Sequence, residues 1–598
     1  MKQTHSFHIP VMGIAYTVDT PVKVAHLGLD SVIFISDDVL LEKLRKFYTS
    51  KFNLPYIEIT RKAIDSRAKR ITAYLNLIKK LAEKNLNELI SSSTDVKKYF
   101  NLLPDTSSLK QKFIDFSSKV TNTSEIKKWL EENLSIGDIN VNIMTKLDKD
   151  NYDKNEKLPV EFNDAHAALR GFANSDLESS MVFSAGMNPR LFSYIEKFDD
   201  FFPNKKGEIK KKIILKVSDY RSALIQGKFL AKKGIWVSEY RIESGLNCGG
   251  HAFATDGFLL GPILEEFKNN KQELIKSVSE ILVRALQDSG RTVPTNNLDL
   301  IVTAQGGVGT AEEQDFLLDY YNVDSIGWGT PFLLVPEVTN VDKSTLEKLK
   351  NAKEKDLFLS DASPLGVPFN NIRNSSKSIE NVTDIKNGKL GSACPKKFLA
   401  LTPSEDGKTI CTASSKYQKA KYKELASQRE EIGEEQFQLA FKNLTAKECL
   451  CNGLSTSVMH LNNIDRKLEK EGVSICPGPN LAYYSKTSTL QEMTNHIYGK
   501  SSVMQRTDRP NMYIKEMELY LDFLQNKLTE SLVAMDKKKE RYLGKFIRNM
   551  ENGITYYQDL FNNAKGIFED KKTSILNALE DGKNQLKAMN AKIENALI

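Results

Sequence analysis

Three groups of residues in this 598-residue chain have the types and spacing to do chemistry. The first is Gly249-Gly250-His251, reached through Glu243-Ser244-Gly245-Leu246-Asn247-Cys248. A doubled glycine lets the backbone approach a flat ligand, and a histidine delivered beside it can take or give a proton near neutral pH. An isolated histidine is more often structural, but its place after Gly-Gly at a strand end makes His251 the catalytic candidate. The second group is a pair of glycine loops. Gln305-Gly306-Gly307-Val308-Gly309-Thr310 follows the apolar run Leu300–Val302 and leads into a helical segment with Glu312 and Glu313 near its start. Gly327-Trp328-Gly329-Thr330 follows the next apolar run. Two successive strand-to-glycine turns are the arrangement that cradles one phosphate, through close backbone N–H groups and the dipole of a helix start. The third group is Cys394, Cys411, Cys449, Cys451 and Cys476, each flanked by Gly, Pro or small residues. Four of these five could hold a [4Fe–4S] cluster or a zinc ion, although the spacing matches no compact ferredoxin or zinc-ribbon pattern and scattered buried thiols are the plainer reading.

The elements that must position these residues are legible as alternating strand-like and helix-like runs. Strands are expected at His8–Tyr16 (ending at Gly13), Ser31–Ser36, Asp138–Thr145, Ser179–Ala185, Lys212–Ser218 and Ile235–Tyr240, with the two glycine loops closing a seventh and an eighth. Eight short apolar strands separated mostly by helices predict an α/β fold, a (β/α)8 TIM barrel, with an open doubly wound sheet as the competing architecture. Active sites of such barrels lie at the C-terminal ends of the strands, where the glycines, Asn142, Lys216 and His251 fall. The barrel is expected to occupy 1–55 and 138–345. A helical insertion after strand two takes 56–137, with Ile71, Leu75, Ile78, Leu81, Leu86 and Leu89 on one face, and reads as a packing subdomain more readily than a lid. Residues 346–509 form a loop-rich, cysteine-containing region. Its turn-rich stretch 361–371 reads as an ordinary loop, and His496, Arg506 and Arg509 reach a site only if the tail packs over the barrel mouth. Residues 510–598 are helical, with one stripe at Ile514, Met517, Leu521, Leu524, Leu528 and Leu532 and a second at Ile554, Tyr557, Phe561, Ala564 and Phe568. Such stripes pack on each other or on a second subunit of a homo-oligomer.

Composition narrows the classes. Apolar residues make up 40% and charged residues 27%, and the net charge of +7 is spread along the chain, which argues against nucleic acid as a partner. No uninterrupted apolar run suits a membrane helix, and the N-terminal stretch lacks a signal-like apolar core. Six cysteines are too few for a disulfide framework in a chain this long, so a cytoplasmic protein is expected.

The motif order adds a resemblance. Gly249-Gly250-His251 after strand six, Ala304-Gln305-Gly306-Gly307-Val308-Gly309-Thr310 after strand seven and Gly327-Trp328-Gly329-Thr330-Pro331-Phe332 after strand eight resemble the nitronate monooxygenase (2-nitropropane dioxygenase) family, which includes FMN-dependent enoyl-acyl-carrier-protein reductases. Pro10-Val11-Met12-Gly13 is similar to the family's opening. The match spans roughly residues 5–340 without the insertion. It departs from the family at Asn247-Cys248, where Glu-Ala is usual, and at Pro331, where arginine is usual, which implies a divergent branch. The resemblance implies an FMN-binding barrel. The phosphate would be held by the Gly306-Gly307 and Gly329-Thr330 loops, and the ring would lie across the strand ends near Gly13, Asn142 and Lys216, with Lys216 at its electron-rich edge and His251 serving the proton. Met12, Gly249, Gly250, Gln305 and Gly327 complete the implied cofactor-binding set. An FMN-dependent oxidoreductase acting on a small molecule is the leading expectation. An enoyl-reductase-like activity on acyl thioesters and a catalytically inactive barrel serving as an assembly subunit are the alternatives.

Overall fold

The computed structural model describes residues 4–153, 155–247, 249–251, 256–405, 407–532, 536–563 and 566–595. Cys248 and Ala564 lie outside these residues, as does the side chain of Leu532.

Eight strands are the frame: β1 (Phe7–His8), β2 (Ser31–Phe34), β3 (Ile139–Ile143), β4 (Ser180–Phe183), β5 (Lys212–Val217), β6 (Val237–Glu243), β7 (Ile301–Gln305) and β8 (Ser325–Gly327). They pair in parallel in chain order, and β8 pairs with β1. The ring closes where Ile9 bridges Ser31, with Val32 N–H donating to Ile9 O at 2.9 Å. This is the (β/α)8 barrel and not the open sheet. The first strand, Phe7–His8, is shorter than the expected His8–Tyr16, and Gly13 turns the chain at φ +55° beyond it. The sixth runs on past Tyr240 to Glu243.

Side chains alternate across a strand, so each barrel strand sends every second residue outward to the helices and the others into the barrel. The outward set is apolar: Ile33, Val141, Met181, Leu215, Ile242 and Ala304 all join the main core. The inward set is mixed. Val32, Val182 and Ile214 form a small apolar layer of their own, with Val11 against it. On the other side Arg241 pairs with Glu239 at 2.8 Å, Thr303 donates to Glu239 at 2.6 Å, and His8 meets Ser325 at 3.3 Å. Burial of so many ionisable groups disturbs them: it drives Asp30 up to about 8 and His8 well below its ordinary range. The last inward positions of β2, β3, β5, β6 and β7 are Phe34, Asn142, Lys216, Glu243 and Gln305.

Helices wrap this ring. α1 (Asp38–Lys51) is capped by the Asp37 side chain, which accepts Leu40 N–H at 3.0 Å. α2 (Ser66–Ile90) is the first helix of the stretch between β2 and β3, and Ile71, Leu75, Ile78, Leu81, Leu86 and Leu89 are all buried on it. It packs against α1 and α3 (Asp164–Ala173), so it belongs to the outer layer of the barrel and is no lid. Helices at Ser93–Leu102, Ser108–Ser117 and Thr123–Asn133 follow it. α4 (Tyr220–Ala231), α5 (Leu260–Asp288) and α6 (Ala311–Tyr320) complete the ring beside β5 to β8.

Beyond the barrel the chain returns over its mouth. The antiparallel pair β9 (Leu357–Ser360) and β10 (Phe369–Ile372) brackets the turn-rich stretch. The buried helix α7 (Leu450–Leu461) lies beside the β1 loop, where Ala15 N–H donates to Leu454 O at 3.1 Å. α8 (Leu490–Ile497), α9 (Met512–Leu532), α10 (Lys537–Asn563) and α11 (Lys572–Asn595) follow. α9 and α10 pack on α11, and α10 also packs on α5, which buries Ile514, Met517, Leu521, Leu524 and Leu528 together with Ile554, Tyr557, Phe561 and Phe568 inside the chain.

Candidate active site at the barrel mouth

A chamber of about 420 Å³ lies at the C-terminal ends of the strands, roofed by residues 365–476. Of the residues expected to meet a cofactor or substrate, Gly13, Asn142, Lys216, Gly249, Gly250 and His251 line it; Met12, Gln305, Gly306, Gly307, Gly327, Gly329 and Thr330 do not. Met12 is in the core with its N–H on Thr17 Oγ1 at 3.1 Å. Gln305 stands one layer back, donating through Nε2 to Glu243 at 3.0 Å and to Asn247 at 2.9 Å. Gly327 faces Gln305 and His8 inside the barrel.

Lys216 pairs with Glu243 at 2.8 Å, and Glu243 also accepts from Asn247 Nδ2 at 2.5 Å. The lysine thus arrives with its own carboxylate, and both are largely buried. Asn142 is different. Its Oδ1 is buried and meets no hydrogen-bond partner among the described residues, on a side chain that faces the chamber. A buried polar oxygen left without a donor costs about 1–3 kcal/mol, and a bound ligand that supplies the donor recovers it.

His251 enters from the β6 loop. Its Nε2 lies 2.7 Å from Ser363 Oγ, and Ser363 accepts Leu365 N–H at 3.2 Å. Asn370 N–H donates to Gly250 O at 2.8 Å, tying the loop to β10, and a Cβ on Gly250 would fall 2.7 Å from the Phe369 ring, so this position needs glycine. Burial pulls His251 down to about 4, so the imidazole is neutral at pH 7. The same burial disfavours its protonated form. The stretch 361–371, expected as ordinary loop, supplies Ser363 and chamber walls at Leu365, Val367 and Phe369.

The β7 and β8 loops sit beside the chamber, divided from it at Asn247, whose backbone packs on Gly306. Gly306 and Gly307 have φ values of +101° and +89°, the consecutive left-handed turn that aims N–H groups into one concavity. Among the described residues the N–H groups of Gly306, Gly307, Gly329 and Thr330 meet no acceptor. The carbonyl side of the loop is fully engaged. Arg509 donates to Gly307 O at 2.6 Å and to Glu313 at 2.7 Å, while Asn480 Nδ2 reaches Gly307 O at 2.6 Å, and Tyr484 Oη and His496 Nε2 each lie 3.0 Å from Gly309 O. Glu313 also accepts Gly309 N–H at 2.8 Å and Met512 N–H at 2.8 Å. The tail therefore does pack over the barrel end, bringing His496 and Arg509 to the loop, whereas Arg506 pairs with Glu354 and Asp508 near the surface.

The cysteines do not assemble as a metal site. Among the described residues no group of three or more His, Cys, Asp or Glu could hold one ion. Cys451 and Cys476 are chamber wall, Cys449 stands at the N-terminal end of α7, and Cys394 and Cys411 are in hydrogen-bonding contact with each other. The expected metal set Cys394, Cys411, Cys449, Cys451 and Cys476 therefore gains no support: the first four lie near enough to one another to interact electrostatically, without forming such a group among the described residues.

No protein-family model matches this chain, and no curated protein matches it. Slight likenesses to solved structures include the following two. The enoyl reductase domain of MlnA from the macrolactin biosynthesis cluster of Bacillus amyloliquefaciens is 14% identical, covers 68% of this chain and 86% of its own length, and has a TM-score of 0.32. Nitroalkane oxidase from Streptomyces ansochromogenes is 10% identical, covers 42% and 66%, and has a TM-score of 0.23. Likeness at these levels carries no conclusion about activity. Among the described residues no helix is long and apolar enough to cross a membrane.

Proposed function

We propose that this chain is an FMN-dependent oxidoreductase, acting in the barrel-mouth chamber on a small or acyl substrate with an apolar body. The observation that carries the reading is Asn142, a residue of the chamber lining whose Oδ1 is buried and meets no donor among the described residues. Two sets of residues support the reading, one lining the chamber and one beside it beyond Asn247. Asn142 and the Gly249-Gly250 backbone would hold the ring, and the N–H groups of Gly306, Gly307, Gly329 and Thr330, which meet no acceptor among the described residues, would hold the phosphate.

FMN, when bound, supplies hydride or single-electron transfer. The chain's own residues do the rest. The Lys216–Glu243 pair presents a neutral, polarisable edge that can shift toward a developing negative charge without a net charge at rest. His251, neutral and oriented by Ser363, takes a proton from the substrate, and Ser363 Oγ steadies the resulting imidazolium. Phe34, Ile143, Leu147, Phe398 and Leu450 exclude water and favour an apolar substrate body.

The test is titration of the cofactor-free protein with FMN, read by quenching of flavin fluorescence. Asn142→Leu, which removes the acceptor at similar size, should weaken binding roughly tenfold, the worth of about 1.4 kcal/mol. Unchanged affinity would remove Asn142 from the site, and no FMN binding by the parent protein would end the reading.

A further inference from the structure

Two thiols that the flavin reading does not use face each other behind the chamber wall. The segment before Cys394 runs beside the segment after Cys411: Ser392 bridges Ser414 in parallel register, with Ser392 N–H donating to Ala413 O and Ser415 N–H to Ser392 O, each at 2.9 Å. Gly391 permits this approach, since its φ is +65° and a Cβ there would lie 2.7 Å from the Ser414 carbonyl carbon. The staple brings the Cys394 and Cys411 thiols into hydrogen-bonding contact. Their surroundings differ in the way a working pair requires. Cys411 is buried, while Cys394 is partly open to solvent. Lys397, in the left-handed region at φ +59°, turns its N–H onto the Cys394 sulfur, and the charges of Lys397 and Lys149 stand nearby. The chain then passes directly into Phe398 and Leu399, two residues of the chamber wall.

We propose that Cys394 and Cys411 are a redox-active dithiol, with Cys394 the thiolate that exchanges with a small disulfide and Cys411 the resolving thiol. The asymmetry of the contact supports this order of events. The hydrogen bond from Cys411 holds Cys394 down to about 7, and the same contact together with burial holds Cys411 up. In the step, the Cys394 thiolate attacks one sulfur of glutathione disulfide, forms a protein–glutathione bond and expels one glutathione thiolate. Cys411 then loses its proton, attacks the Cys394 sulfur and expels the second glutathione. The protein gives up two electrons and two thiol protons to become a disulfide, and glutathione disulfide takes up both as two glutathione thiols. The proposal does not depend on the flavin, and oxidation at Cys394 would tether the stretch that carries Phe398 and Leu399.

The experiment uses the full chain, reduced and then equilibrated anaerobically with mixtures of glutathione and its disulfide, trapped by alkylation at low pH and mapped by peptide mass spectrometry. A Cys394–Cys411 cross-linked peptide should grow with the disulfide fraction and vanish with dithiothreitol. Cys411→Ser should accumulate one glutathione on Cys394, and Cys394→Ser should leave Cys411 unmodified. Cys394 alkylated as a thiol at every ratio would overturn the proposal. So would preferential pairing of Cys394 with Cys449 or Cys451, or a stoichiometric metal bound to these thiols in the purified protein.

Discussion

Glu516 offers the prediction whose magnitude can be worked most fully. This carboxyl on α9 is buried, accepts Ser244 Oγ at 2.8 Å and Leu260 N–H at 2.9 Å, and is also approached by the Gly245 N–H and the Tyr557 hydroxyl. It thereby fixes the start of the β6 loop that leads to His251. Burial outweighs these hydrogen bonds and raises it from its ordinary 4.5 to about 7. The native state therefore keeps a proton that the unfolded chain releases. Stability from this group is whole below about pH 4.5, falls as pH rises through about 7, and is flat above. At about 1.4 kcal/mol per pH unit the loss is on the order of 3 kcal/mol. Glu516→Gln keeps an acceptor and cannot ionise, so it should remove this slope. Thermal midpoints of parent and variant should diverge between about pH 5 and 8 by on the order of 2 °C in the variant's favour. Asp30 and Asp138, both raised by burial, tilt the two curves alike and cancel in the difference. Parallel curves at all pH values would refute the reasoning.

Other outcomes follow from the same geometry. His251→Ala should retain flavin and lose turnover of any substrate found, and the parent's kcat/KM should stay flat between about pH 5 and 8, where an unperturbed imidazole titrates near 6.5; a break in that window would show a histidine in ordinary surroundings. Arg509→Ala leaves Glu313 buried without its cation and should cost about 3–5 kcal/mol, partly recovered by adding Glu313→Gln. Hydrogen exchange at residues 306–310 and the unfolding midpoint report it, and a cost under about 1 kcal/mol, typical of surface pairs, would deny the pair its role in holding the β7 loop.

Much of the frame was legible because barrel strands carry a strong local signal. The outward apolar residues mark all eight positions, glycines follow five of the strands (at Gly13, Gly186, Gly245, Gly306 and Gly329), and the alternation Glu239-x-Arg241-x-Glu243 already places three charges on one face. What one strand cannot disclose is the partner across the barrel. That Lys216 meets Glu243, and that Asn142 Oδ1 meets no donor among the described residues, depends on parallel register and shear. The roof was the least legible part. Ser363, Asn480, His496 and Arg509 lie more than a hundred residues from the loops they serve, in stretches whose turn chemistry carries no periodicity. Arg509 has one signal in its favour, an arginine just before a helix start, but its partner Glu313 is a helix-start acid of the commonest kind. The cysteines misled for a related reason: loop residues around a thiol permit convergence without causing it.

The central claim is that this barrel holds FMN. An absorption spectrum of the purified full-length chain, followed by extraction and identification of whatever cofactor is released, tests it most directly. The account predicts a flavin spectrum and close to one FMN per chain. A colourless protein that releases no flavin and takes up none when FMN is added would contradict it.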